Sequence, residues 1–155
     1  MAPTPGAICL YQVDIIKYKA VEDLPLYSLG RSERLKSRKI LEQLFRRGKL
    51  VVHGPFRILY LEQGPLKDSK TAIQPLQAGF GTGTKQFRRA VDRNRIKRMM
   101  RETYRLQKNE ILQLLLKKEH SLSLFMLFTG KQIPEYSVVY EQMKVILSLL
   151  ISKIA

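Results

Sequence analysis

Twenty-nine consecutive residues, Ala90 through Lys118, contain neither Pro nor Gly, and their apolar residues recur at helical spacing. On a wheel turning about 100° per residue, with Ile96 at zero, Met99, Met100, Thr103, Gln107, Ile111 and Leu114 fall within about 60° of it. Asn94, Arg98, Arg101 and Arg105 fall near the opposite pole. Such a helix buries one side in a core and turns a dense arginine side outward. An ordinary solvated face mixes signs in i,i+4 pairs. Here Asp92 and Glu102 stand nearly alone among the ten cations of residues 85–108. Arg forks onto phosphate oxygens and stacks on bases, which favours nucleic acid over an anionic membrane surface as the partner.

The rest of the charge follows the same pattern. The chain has 28 Lys plus Arg against 13 Asp plus Glu, a net +15 and a pI near 10.2. A surplus of that size repels itself unless a polyanion neutralises it. Residues 1–30 carry a net −1, whereas residues 31–49 carry +6 and residues 85–108 carry +8. The break in composition near Gly30 divides the chain into an N-terminal extension, residues 1–30, poorly ordered by its Pro3, Pro5 and Gly6, and a nucleic-acid-binding domain, residues 31–155.

Several classes of function are excluded by residue type. A single Cys, Cys9, rules out a disulfide framework and Cys-based metal sites. The two His, His53 and His120, are too far apart to form a sequence-local metal pair. Uninterrupted apolar runs such as Leu124–Phe128 and Leu149–Ile151 fall far short of the ~20 residues that span a bilayer. No basic residue precedes the apolar stretch Ala7–Tyr11, as a signal peptide requires. The expected compartment is the reducing cytoplasm.

The element pattern is mixed α and β. Ser32 is placed to cap a helix carrying Leu35, Ile40, Leu41, Leu44 and Phe45, with Gly48 as its stop. Leu50–Leu61 reads as a strand interrupted at Gly54-Pro55, Glu62–Gln74 as a loop, and residues 76–84 as its partner strand. Ser121–Thr129 reads as a buried strand ended by Gly130. Pro134 opens a last helix reaching Ile154, with Val138, Val139, Met143, Ile146 and Leu150 on its buried side. The order is helix, two or three strands, helix, strand, helix.

Residues 79–85, Gly-Phe-Gly-Thr-Gly-Thr-Lys, fail both nucleotide-binding templates. A dinucleotide fingerprint needs Gly where Thr84 stands, and a phosphate-loop lysine follows Gly and precedes Ser or Thr. The remaining reading is a strand whose backbone approaches something closely. The acidic residues are scattered and no Ser–His–Asp set exists, so no catalytic residues are assigned and no metal site is expected in the protein. His53 reads as a strand or loop residue.

From Phe87 to Leu106 the chain reads Phe-Arg-Arg-Ala-Val-Asp-Arg-Asn-Arg-Ile-Lys-Arg-Met-Met-Arg-Glu-Thr-Tyr-Arg-Leu, with Arg93-Asn94-Arg95-Ile96-Lys97-Arg98 at its centre. Upstream, Arg34-Leu-Lys-Ser-Arg-Lys-Ile-Leu-Glu-Gln-Leu-Phe-Arg-Arg-Gly48 precedes it in the right order. Both segments resemble the protein component of bacterial ribonuclease P, and the resemblance covers about residues 31–153. It departs at residues 84–89, where Thr84 precedes Lys85 and Gln86-Phe87-Arg88-Arg89 lacks a Gly.

The resemblance implies an α+β fold, a small two-layer α/β sandwich in which a left-handed crossover carries the basic helix. It implies a subunit that assists a catalytic RNA in removing the 5′ leader of precursor tRNA. Catalysis and Mg²⁺ reside in the RNA, and no obligate protein partner or membrane is involved. Arg93, Asn94, Arg95, Lys97 and Arg98, with Lys85, Arg88, Arg89 and Arg101, would face the RNA subunit. Phe45 and Phe56, with Arg57 and Tyr60, would line the leader cleft, with plain core packing as the competing role of the two Phe. Stacking on aromatic planes suits leaders of variable sequence. The rival readings are a ribosomal or RNA-scaffolding protein using the same helix, and a DNA-binding regulator. The strands between the helices weigh against a helix-turn-helix.

Overall fold

Phe56, Ile58 and Tyr60 are buried while Arg57 between them is exposed, the period-two signature of a strand with one face on a core. The computed structural model describes residues 29–65 and 74–155. Residues 1–28, which make up most of the expected N-terminal extension, and residues 66–73 of the expected loop lie outside the described residues.

The elements run α1 (Arg38–Arg47), β1 (Lys49–His53), β2 (Phe56–Pro65), β3 (Leu76–Thr82), α2 (Ala90–Gln107), α3 (Asn109–Lys118), β4 (His120–Phe128) and α4 (Tyr136–Ile154). This is the mixed α+β class expected, with one four-stranded sheet ordered β1-β2-β4-β3. β1 and β2 form an antiparallel hairpin pairing Val51 with Ile58 and turning at Gly54-Pro55, where Gly54 has a φ of 56° that favours glycine. β2 and β4 are antiparallel, and β3 and β4 are parallel. A parallel pair needs a crossover, and α2 with α3 supplies it.

The main core fills one face of the sheet. Val51, Phe56, Ile58, Tyr60, Leu124, Met126 and Phe128 lie under Ile96, Met100 and Tyr104 of α2, Ile111 and Leu115 of α3, and Val139, Met143, Ile146 and Leu150 of α4. α1 packs on the opposite face, against β2 and β4, burying Leu44 outside that cluster. Phe125 and Leu127, which alternate with the core residues of β4, point toward α1's side.

The structure corrects several boundaries. The first helix starts at Arg38, with Ser37 rather than Ser32 before it. Residues 33–35 are instead drawn into extended backbone beside β3: Ala78 N donates to Glu33 O (2.8 Å) and Leu35 N to Ala78 O (2.9 Å). This strap covers the sheet edge and buries Leu35. β2 runs past Leu61 to Pro65, through an irregularity after Glu62. β3 pairs with β4 rather than with β2, because β4, apolar on both faces, takes the central place. The long helix of residues 90–118 divides at Lys108. Lys108 is buried there, its Nζ 2.6 Å from Glu33 Oε1. Val138 is exposed, one residue out of phase with the buried Val139.

Candidate nucleic-acid interface

The cationic surface begins at the N-terminus of α2. Lys85, Arg88 and Arg89 precede the helix and are exposed, as are Asn94, Arg95, Arg98 and Arg101 along it; Lys97 is half-buried. Cations at the positive end of a helix dipole are unfavourable by themselves and become favourable once a phosphate accepts the free N–H groups there. Asp92 is the acidic residue of that first turn. Further along, Arg105 binds Glu102 through Nε and Nη2 and holds its carboxyl below the usual carboxylate range.

The Arg-Asn-Arg element is divided in its roles. Arg93 is half-buried and its Nη1 donates to Phe87 O and Arg88 O, both at 2.8 Å. Arg93 therefore latches the crossover loop onto the helix, while Asn94 and Arg95 project from it. Phe87 is buried against Phe128, which fixes the other end of the latch.

The aromatic surface lies across the sheet. Phe45, 58% exposed, stands on Phe125 with ring centroids 5.5 Å apart. The Phe125 ring in turn lies over β3, where a Cβ on Gly79 or Gly81 would come within 2.6 Å or 2.8 Å of it. The glycine-rich segment is thus a backbone platform for an aromatic ring, the close approach that its composition demanded. Arg57 is exposed, and its register partner on β1, Val52, is also exposed and points to the same face.

Two of the expected cleft residues belong elsewhere. Phe56 and Tyr60 are 1% and 3% exposed and sit in the main core, Phe56 against Phe128 at 5.2 Å. Two-residue alternation puts them on the face of the sheet opposite Phe45, so they cannot share a surface with it. Core packing is their role, and Phe125 is the aromatic that joins Phe45. The signal for Phe125 was available in the sequence: glycines at two alternating positions of one strand make room for a large ring on its neighbour.

Other chemistry is sparse. Among the described residues no group of three or more His, Cys, Asp or Glu side chains converges on a common point. A cavity of about 330 Å³ is lined by Glu62, Leu115, Lys118, His120 and Ile154, and Lys118 Nζ donates there to Ile154 O. No helix among the described residues is long and apolar enough to cross a membrane.

Comparison with known proteins converges on one family. The model of the family described as Ribonuclease P matches residues 29–144. A ribonuclease P protein component from Porphyromonas gingivalis is 30% identical over 120 residues, 77% of this chain and 84% of that protein. One from Chlorobaculum tepidum is 33% identical over 108 residues, 67% of this chain and 69% of its own. The fold matches the RNase P protein structure from Staphylococcus aureus with a TM-score of 0.59 at 18% identity, covering 76% of this chain and 94% of that one. With the Arg-Asn-Arg helix and the α+β sheet both in place, this chain belongs to the ribonuclease P protein family.

Proposed function

We propose that the protein is the RNA-binding subunit of ribonuclease P and serves the removal of 5′ leaders from precursor tRNA by holding two RNAs on two faces of one sheet. The observation that carries this reading is the separation of the surfaces. The exposed cations of α2 and its preceding loop lie on the side of the sheet covered by α2, α3 and α4, and the Phe45–Phe125 pair lies on the α1 side. The arginine side binds phosphates of the catalytic RNA by charge-assisted hydrogen bonds. The aromatic side offers ring planes to unpaired bases of the leader, with Arg57 available for its backbone.

Bond cleavage and Mg²⁺ belong to the RNA subunit in this reading. A subunit of a tRNA-maturing enzyme works in the cytoplasm. The test is reconstitution. Added to a catalytic RNA at low Mg²⁺, the protein should restore cleavage that leaves a mature 5′ end. A scaffolding protein would bind the RNA without restoring cleavage, and that outcome overturns the proposal.

A further inference from the structure

The start of α4 carries an aromatic pair outside both surfaces described so far. Tyr136, the first residue of the helix, is 44% exposed, and Tyr140, one turn later, is half-buried. Their ring centroids are 6.5 Å apart with planes inclined by 33°. Gln107 Nε2 donates to Tyr140 O at 3.1 Å, which fastens this turn of α4 against the end of α2. This contact sets the first turns of α4 beside the C-terminal turn of α2, the turn that carries Arg105. Arg101 and Arg98 follow one and two turns back along α2, both exposed. The Glu102 carboxylate among these cations is bound by Arg105.

We propose that Tyr136 and Tyr140 form a base-stacking site that takes an unpaired nucleotide of the catalytic RNA, with Arg98 and Arg101 on the adjoining phosphates. The exposed Tyr136 ring stands beside the Tyr140 ring and offers an aromatic plane to solvent. Beside a row of arginines it has the composition of a single-strand binding surface, where cations track the backbone and rings accept bases. The source is the catalytic RNA rather than the leader, because α4 covers the Phe56 face of the sheet and the Phe45–Phe125 platform is on the other. The inference rests on the assignment of the α2 arginines to that RNA.

The chain contains no Trp, so Tyr136→Trp gives the full-length protein one emitting indole at the site. Titration with catalytic RNA carrying a fluorescent label reads binding by anisotropy and stacking by Trp quenching in one experiment. Quenching by the RNA and none by heparin, a polyanion without bases, is the expected result. Binding with unchanged Trp emission overturns the stacking site and leaves the α2 assignment standing; no binding at all overturns both. Equal quenching by heparin also overturns it, as does quenching by precursor tRNA alone without any by the catalytic RNA. Tyr136→Leu should weaken catalytic RNA binding about tenfold, while Tyr136→Phe keeps the ring and stays within about twofold of the parent. A Leu variant as tight as the Phe variant overturns the proposal.

Discussion

Gly79 and Phe125 are in contact across the β3–β4 pair so closely that a Cβ on Gly79 would stand 2.6 Å from Phe125 Cδ2. The ring that supports Phe45 therefore owes its position to an absent side chain one strand away. Gly79→Ala should displace that ring and cost about 1–3 kcal/mol, as overpacking of a tight site does. Urea unfolding reads the loss, and leader binding should fall with it. Combining Gly79→Ala with Phe125→Leu should recover stability without recovering leader binding. An unchanged urea midpoint for Gly79→Ala contradicts the platform.

Phe45 and Phe56 should separate binding from folding. Phe45→Ala removes a ring that is 58% exposed and should leave the thermal midpoint nearly unchanged. It should weaken precursor tRNA binding by about 1–3 kcal/mol if a base stacks there, and leave mature tRNA, which lacks a leader, unaffected. Phe56→Ala empties a site that is 1% exposed and should cost about 3–5 kcal/mol of stability. A folded Phe45 variant that loses precursor and mature tRNA equally would show that the cleft lies elsewhere.

The two arginines of the Arg-Asn-Arg element should differ. Arg95→Ala removes an exposed cation and should weaken catalytic RNA binding with little effect on stability. Arg93→Ala also releases the Phe87 and Arg88 carbonyls, hydrogen bonds to a charged group worth about 1.5–3 kcal/mol at most, and should lower the melting temperature as well. Equal melting temperatures for the two variants would remove the latch.

The Glu33–Lys108 pair closes the strap over the junction of α2 and α3 at 2.6 Å, with side chains 11% and 4% exposed. Glu33 Oε2 also accepts the Gly30 N–H at 2.7 Å. Lys108→Met strands the buried carboxylate and should cost about 3–5 kcal/mol. Adding Glu33→Gln to Lys108→Met should recover a good part of that, because no buried charge is then left uncompensated. Denaturant unfolding of the two variants tests the pair, and a double variant no more stable than Lys108→Met refutes it.

Salt dependence tests the cationic surface as a whole. If about eight cations neutralise phosphates, log K for the RNA should fall with log salt at a slope near −6, taking ~0.7 per phosphate. A slope shallower than about −2 would make the basic segments bystanders.

The amphipathic helix, its arginine side, the break at Gly54-Pro55, the buried strand after Ser121 and the final helix are all properties of local sequence. Each is dictated by side chains a few residues apart: the spacing of Ile96, Met100 and Thr103, the φ that Gly54 tolerates, the apolar run Leu124–Phe128. What tertiary structure decided depends on residues far apart in the chain. Residues 33–35 left the first helix because Ala78 offered them backbone partners. The long helix divides at Lys108, where Glu33 holds the lysine from 75 residues away. β4 became the centre of the sheet because it is apolar on both faces and accepts neighbours on each. The aromatic surface shows the same division most clearly. Sequence identifies Phe45 and Phe56 as rings near a basic segment, but period-two alternation sends Phe56 into the core and brings Phe125 up beneath Phe45. Which ring faces an RNA depends on the register of three strands, and register is set by long-range pairing that no local pattern contains.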